Sequence, residues 1–213
     1  MQIEITDQFW TNAILTAYEL FRYPDDTGKI ICAECLGGVW GDRDGDIYRA
    51  RFATTTQLIE KRDEASVVGP DPFEHLIHNA WAALDVADAN YLGGFHSHPW
   101  TEQEVKDYLA SGETDDVFWQ PSDADKDSMP HKCIEIIVSL RPTTTVDPNL
   151  FTWAERGQLV SGKIDIAHIT FSGWFMDDNG GFSQVPIRAG FLSAVNARIA
   201  EIDRRSQSAP PTC

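Results

Sequence analysis

A chain of 213 residues with 42% hydrophobic side chains is long enough to bury a substantial core without disulfide or metal staples. Its 17 basic and 33 acidic residues leave a net charge of −16, which repels nucleic-acid phosphates and anionic membrane surfaces and favours neutral or basic partners. The four cysteines, Cys32, Cys35, Cys133 and Cys213, make no disulfide framework, and no apolar leader or spanning segment opens the sequence, so the expected location is the cytoplasm.

Apolar side chains at Phe9, Trp10, Ala13, Ile14, Ala17, Tyr18 and Phe21 recur at helical spacing and predict an amphipathic helix over 6–22, capped by Thr6 or Asp7 and closed by Pro24. Pro24-Asp25-Asp26-Thr27-Gly28 reads as a turn. The nearly continuous apolar run over 30–40 predicts a buried strand with Glu34 inside it. A carboxylate so placed is costly unless something compensates it, which argues for a role. Cys32-Ala33-Glu34-Cys35 is formally a C-x-x-C, but without a second pair it reads as two small thiols flanking the strand start. Gly41-Asp42-Arg43-Asp44-Gly45-Asp46 lacks the ligand spacing and late glutamate of a calcium loop, and is taken as a hairpin turn into a strand over 47–54. The polar stretch 55–69 reads as surface.

Asp71-Pro72-Phe73-Glu74 combines an N-cap, a first-turn proline and a capping box, and Phe73, Leu76, Ile77, Ala80, Trp81 and Leu84 form the stripe of a helix packed on a sheet. His75 and His78 share a face of that helix, but with no third ligand at a fitting offset they are read as structural. Next comes Gly93-Gly94-Phe95-His96-Ser97-His98-Pro99. On a strand over 91–98, period-two alternation puts His96 and His98 on one face, close enough to share a metal ion. Zinc in a hydrolytic site takes three protein ligands and leaves a fourth position for water, so this pair needs one more ligand and a separate carboxylate for proton transfer. Asp125 and Glu34 are the candidates.

Residues 100–120 carry a capping box at Thr101-Glu102-Gln103-Glu104 and then acids and aromatics, which suits either the wall or lid of a substrate groove or an ordinary packed excursion. Ser122-x-x-Asp125 is the start of a helix with serine at its N-cap and the aspartate one turn on. Strands are predicted over 132–140, 151–153 and 163–175, with a loop over 142–148, a turn over 155–162 and an edge strand over 184–187. Phe191, Leu192, Val195, Ile199 and Ile202 mark a C-terminal helix, and 206–213 reads as a disordered tail. Strands interleaved with three helices make one α/β or α+β domain over 1–205 around a mixed sheet.

At these residues the chain resembles the JAMM (JAB1/MPN/Mov34) metalloproteases, in their prokaryotic JAB-domain branch, whose motif is a glutamate, then His-x-His-Pro, then Ser-x-x-Asp. Glu34 in Ala33-Glu34-Cys35-Leu36-Gly37-Gly38 is similar to the glutamate segment, His96 to Pro99 match the second element, and Pro121-Ser122-x-x-Asp125 the third. In one respect the chain departs: 26 residues separate His98 from Asp125, more than the family spaces there, so an insertion at about 100–120 is implied and Asp115, Asp116, Asp123 and Asp127 compete for the third ligand. The resemblance covers about 6–190. It implies a mixed sheet flanked by helices in the cytidine-deaminase-like JAB/MPN sandwich, with a loop on the substrate-facing side over 55–69.

What the resemblance implies for chemistry is a zinc isopeptidase. His96, His98 and Asp125 hold the zinc, Glu34 takes a proton from the attacking water and passes it to the departing amine, and Ser122 donates to the oxyanion, a contribution of about 3 kcal/mol in comparable sites. The implied substrate is a ubiquitin-like protein or its conjugate, cut after the C-terminal glycine, or a sulfur-carrier precursor. An activating or conjugating enzyme of the same pathway is the implied partner. Two other classes stay open. One is a catalytically inactive JAB/MPN-fold scaffold or binding module, and the other a zinc deaminase, whose Pro-Cys-x-x-Cys signature is absent.

Overall fold

The computed structural model describes residues 1–21, 23–24, 30–55, 61–62, 67–68, 89–112, 114–143, 152–164 and 166–208. Strand β1 (Gln2–Ile5) buries Ile3 and Ile5 and was not marked in the sequence, because four residues carry too short an alternation. Thr6 ends it and caps helix α1 (Asp7–Phe21), its Oγ1 accepting from the Phe9 N–H at 3.2 Å. The strand expected over 30–40 begins late. Among the described residues Ile30–Ile31 pairs only with Tyr23–Pro24, and β2 (Leu36–Asp44) starts after Glu34. β2 then runs through the aspartate-rich stretch, which leaves only Gly45 and Asp46 to turn into β3 (Ile47–Thr55). Lys61–Arg62 pairs with Val67–Val68 inside the stretch read as surface. The helix expected from Asp71, with His75 and His78, lies outside the described residues.

Strand β4 (Asn90–Pro99) carries the histidine pair. It is followed by α2 (Glu102–Ser111), a 3-10 turn at Asp115–Trp119, and the short helix α3 (Asp123–Ser128). Then come β5 (Ile134–Pro142), β6 (Ala154–Arg156), β7 (Leu159–Ile164), β8 (Ala167–Met176), β9 (Phe182–Val185), β10 (Ile187–Arg188) and helix α4 (Leu192–Ser208). The strand expected over 163–175 is therefore two strands. Gly162 lies within β7, where the Trp153 ring takes the space a side chain would fill, and the first residues of the expected tail are helical.

The strands run in the order β6-β7-β8-β5-β4-β2-β3-β1-β10, with parallel pairs at β4/β5, β3/β1 and β1/β10. β9 pairs with β8 beyond the point where β7 leaves it, and leads through Pro186 into β10, so the chain returns to the far end of the same sheet. A hydrogen bond from the Ile187 N–H to the Gln158 oxygen, at 3.0 Å, ties β10 to the turn between β6 and β7. Across the enclosed face, a Cβ on Gly173 of β8 would lie 2.7 Å from Ile3 Cδ1 and 2.9 Å from Ile187 Cγ1, so the bare glycine is what lets β8 approach β1 and β10.

These contacts correct the expected fold. Instead of a helix-flanked JAB/MPN sandwich the protein has a sheet that outweighs its helices and curls into a nearly closed, barrel-like form. β1, β9 and β10 turn the sheet round; the edge strand expected over 184–187 is β9 and β10, parted at Pro186, and β1 is too short to show in the sequence pattern. Helix α1 packs on the enclosed face, where Phe9 meets Phe95 edge-on with ring centroids 6.1 Å apart. Among the described residues no helix is long and apolar enough to cross a membrane.

The opposite face of β4, β5 and β8 is covered by residues 100–112 and 114–129. Trp100, Tyr108 and Phe118 stack edge to face, the Arg141 guanidinium lies 4.4 Å from the Phe118 ring centre, and Ser172 Oγ donates to the Trp119 oxygen at 2.7 Å. Ser139, Arg141, His168, Thr170 and Ser172 are buried beneath. Arg141 can only donate, so His168 Nδ1, 3.1 Å from its Nη2, accepts and the ring is neutral. Burial, then the charges of Arg141 and Arg156, push His168 down to about 4. The unfolded chain protonates first, so this stability is complete above the ordinary histidine pKa near 6.5 and is lost as pH falls towards 4, by an amount on the order of 3 kcal/mol. His168→Gln can still accept from Arg141 but cannot titrate. In urea denaturation at pH 7 and pH 4.5 its loss of stability between the two should be clearly smaller than that of the unaltered protein, and an equal loss would contradict this.

Candidate metal centre

β4 is central to the sheet, paired antiparallel with β2 and parallel with β5, so its alternation is fixed from both edges. Phe95 points to the enclosed core, and His96 and His98 point to the other face, beside Ile137 and Ser139 of β5. The two rings lie with centroids 4.8 Å apart and their Nε2 atoms 2.9 Å apart.

Helix α3 brings the carboxylate. Ser122 is its N-cap, with Oγ accepting from the Asp125 N–H at 3.1 Å, while Asp125 Oδ2 accepts from the Ser122 N–H at 2.7 Å and from its hydroxyl at 2.8 Å. This capping box holds the Asp125 side chain back over the helix start. Its Oδ1 lies 3.5 Å from His96 Nε2 and its Oδ2 3.4 Å from His98 Nε2. The donor atoms of His96, His98 and Asp125 all fall within 4.8 Å of one another, despite the intervening segment. Two imidazole nitrogens and one carboxylate oxygen form a donor set that suits zinc. Among the competing acids, Asp123 points to solvent and pairs with Lys126 at 2.9 Å, and Asp115, Asp116 and Asp127 are not part of the converging group.

Glu34 lies outside the strand expected to hold it. The β2–β4 ladder pairs Leu36 with His96 and continues through Ser97 N–H to Cys35 O at 3.0 Å and Cys35 N–H to Ser97 Oγ at 2.8 Å. Half-buried Glu34 comes one residue before these contacts and is not part of the converging group. Ser122, the expected oxyanion donor, directs its hydroxyl hydrogen at Asp125, so donation to a substrate requires that hydroxyl to turn. One further residue joins the cluster. Glu135 of β5 lies with Oε1 2.8 Å from His96 Nδ1. The reasoning applied to Glu34 would have found it too, since it is a carboxylate inside the apolar run of β5.

The cluster's electrostatics favour a positive charge between the rings. Burial pushes His96 down, but the Asp125 and Glu135 carboxylates outweigh it and raise the ring to about 10. Burial also lowers His98, with the neighbouring His96 adding to the effect against the pull of Asp125. For Asp125 burial acts upward, yet the two histidines hold its carboxyl far below the usual carboxylate range.

No protein-family model and no curated protein matches the chain. Among solved structures it is similar to the solution structure of protein DSY2949 from Desulfitobacterium hafniense, at 19% identity and a TM-score of 0.50, over 88% of this chain and 92% of that one. A likeness at that identity concerns the fold alone. For the metal centre, Asp125→Asn should lower zinc affinity by more than about a hundredfold, beyond what contacts outside the ligand set usually cost. Asp123→Asn should stay within about twofold of the unaltered protein in the same chelator competition, and equal losses in the two variants would remove Asp125 from the site.

Proposed function

We propose that the chain is a zinc-dependent hydrolase of the JAMM type, an isopeptidase or peptidase that cuts after the C-terminus of a ubiquitin-like protein or a related conjugate. The observation that carries the reading is the convergence of His96, His98 and Asp125, three residues drawn from two separate stretches of sequence. The proposal concerns this local chemistry and not the sandwich fold, which the curled sheet replaces.

His96 and His98 would hold zinc through Nε2 and Asp125 through its carboxylate. Bound there, zinc supplies a Lewis acid that polarises the scissile carbonyl and acidifies water. Glu34 then accepts the attacking water's proton on its carboxylate and delivers it to the departing amine nitrogen. Ser122, with its hydroxyl turned from Asp125, donates to the oxyanion.

The net charge of −16 suits a neutral or basic partner, such as a ubiquitin-like protein or an activating or conjugating enzyme of the same pathway. Cys133 is a free thiol, which fits a reducing cytoplasm. In a zinc-loaded protein, Glu34→Gln should keep the metal and the fold but cut hydrolysis of a ubiquitin-like C-terminal amide by several orders of magnitude, because an amide cannot take the proton. Turnover near that of the unaltered enzyme would assign the base elsewhere. Full zinc loading of the unaltered chain with no hydrolysis of any such amide would favour the inactive scaffold.

A further inference from the structure

We propose that Glu135 is a positioning residue of the metal centre, holding His96 with its Nε2 free to bind metal; the inference rests on the zinc reading above. A carboxylate accepts hydrogen bonds and an imidazole has two ring nitrogens, so the 2.8 Å contact from Glu135 Oε1 places the proton on His96 Nδ1. The ring's other nitrogen is then the one turned towards His98 and Asp125. In metal sites, carboxylates at this place set the tautomer and orientation of a ligating imidazole and make it more basic.

The backbone is shaped for this contact. Glu135 and Gly94 are partners in the parallel β4–β5 ladder, and Gly94 stands two residues before His96 on the same face. A Cβ on Gly94 would lie 2.4 Å from Glu135 Oε2 and 3.1 Å from its Cδ, so the carboxylate occupies the space that a side chain at Gly94 would need. The Glu135 side chain is only 12% exposed, and a carboxylate buried to that extent needs a partner, which His96 provides. Glycine at 94 and glutamate at 135 thus act as one device, a notch and the group that fills it.

The test compares the unaltered chain with Glu135→Ala and Glu135→Gln, using zinc affinity from chelator competition and the visible absorption spectrum of the cobalt(II)-loaded protein, with thermal melts to confirm folding. Glu135→Ala should weaken zinc binding by about 10–100-fold and alter the cobalt bands. Glu135→Gln keeps an acceptor oxygen in the same place and should recover much of that loss, which a purely structural role would not require. Folded Glu135→Ala protein with unchanged affinity and spectrum would overturn the proposal while leaving the metal centre in place. An unaltered chain that binds no zinc would instead overturn the metal reading, and this inference with it.

Discussion

Strand β4 is hydrogen-bonded along both edges, antiparallel to β2 and parallel to β5, and everything at the site depends on that double constraint. A slip of one residue on either side would exchange its two faces, putting two imidazoles into the core and Phe95 against the covering segment. The core resists such a slip, because Phe95 is fully buried against Phe9 of α1 in a cluster with Ile136 and Phe171. Packing on the enclosed side therefore fixes the direction of His96 and His98 on the other.

On that other face the protein buries polar groups, which is expensive unless each finds a partner. Two solutions stand side by side. Further along the sheet, Arg141 is satisfied by the neutral His168 and the Phe118 ring. At the histidine pair, Asp125 and Glu135 approach from opposite sides, one from the short helix α3 and one from the neighbouring strand. Two carboxylates around two imidazoles call for positive charge, for which protons and a bound divalent metal ion would compete.

The sequence was most legible where local rules are strong. α1 could be read from its stripe and Thr6, and the Ser122–Asp125 capping box gave the frame that singles out Asp125 even though 26 residues part it from His98. Less legible were features decided by long-range pairing. Four-residue β1 and two-residue β10 carry almost no pattern, yet with β9 they curl the sheet, and the sandwich was inferred from a family likeness that rests on a handful of site residues. Glu34 was placed within a strand because the apolar run over 30–40 looks continuous, whereas the β2 ladder begins only at Leu36. Glu135 stands as a single acid in the apolar run of β5, and only the pairing of β5 with β4 places it beside His96.

The central claim is that His96, His98 and Asp125 form a zinc site, and anomalous diffraction at the zinc absorption edge from crystals grown with one equivalent of zinc tests it most directly. The expected result is a single strong peak bonded to both Nε2 atoms and an Asp125 oxygen, at about 2.0–2.2 Å from each. A peak at any other set of residues, or none at this site with the two Nε2 atoms still in contact, would contradict it.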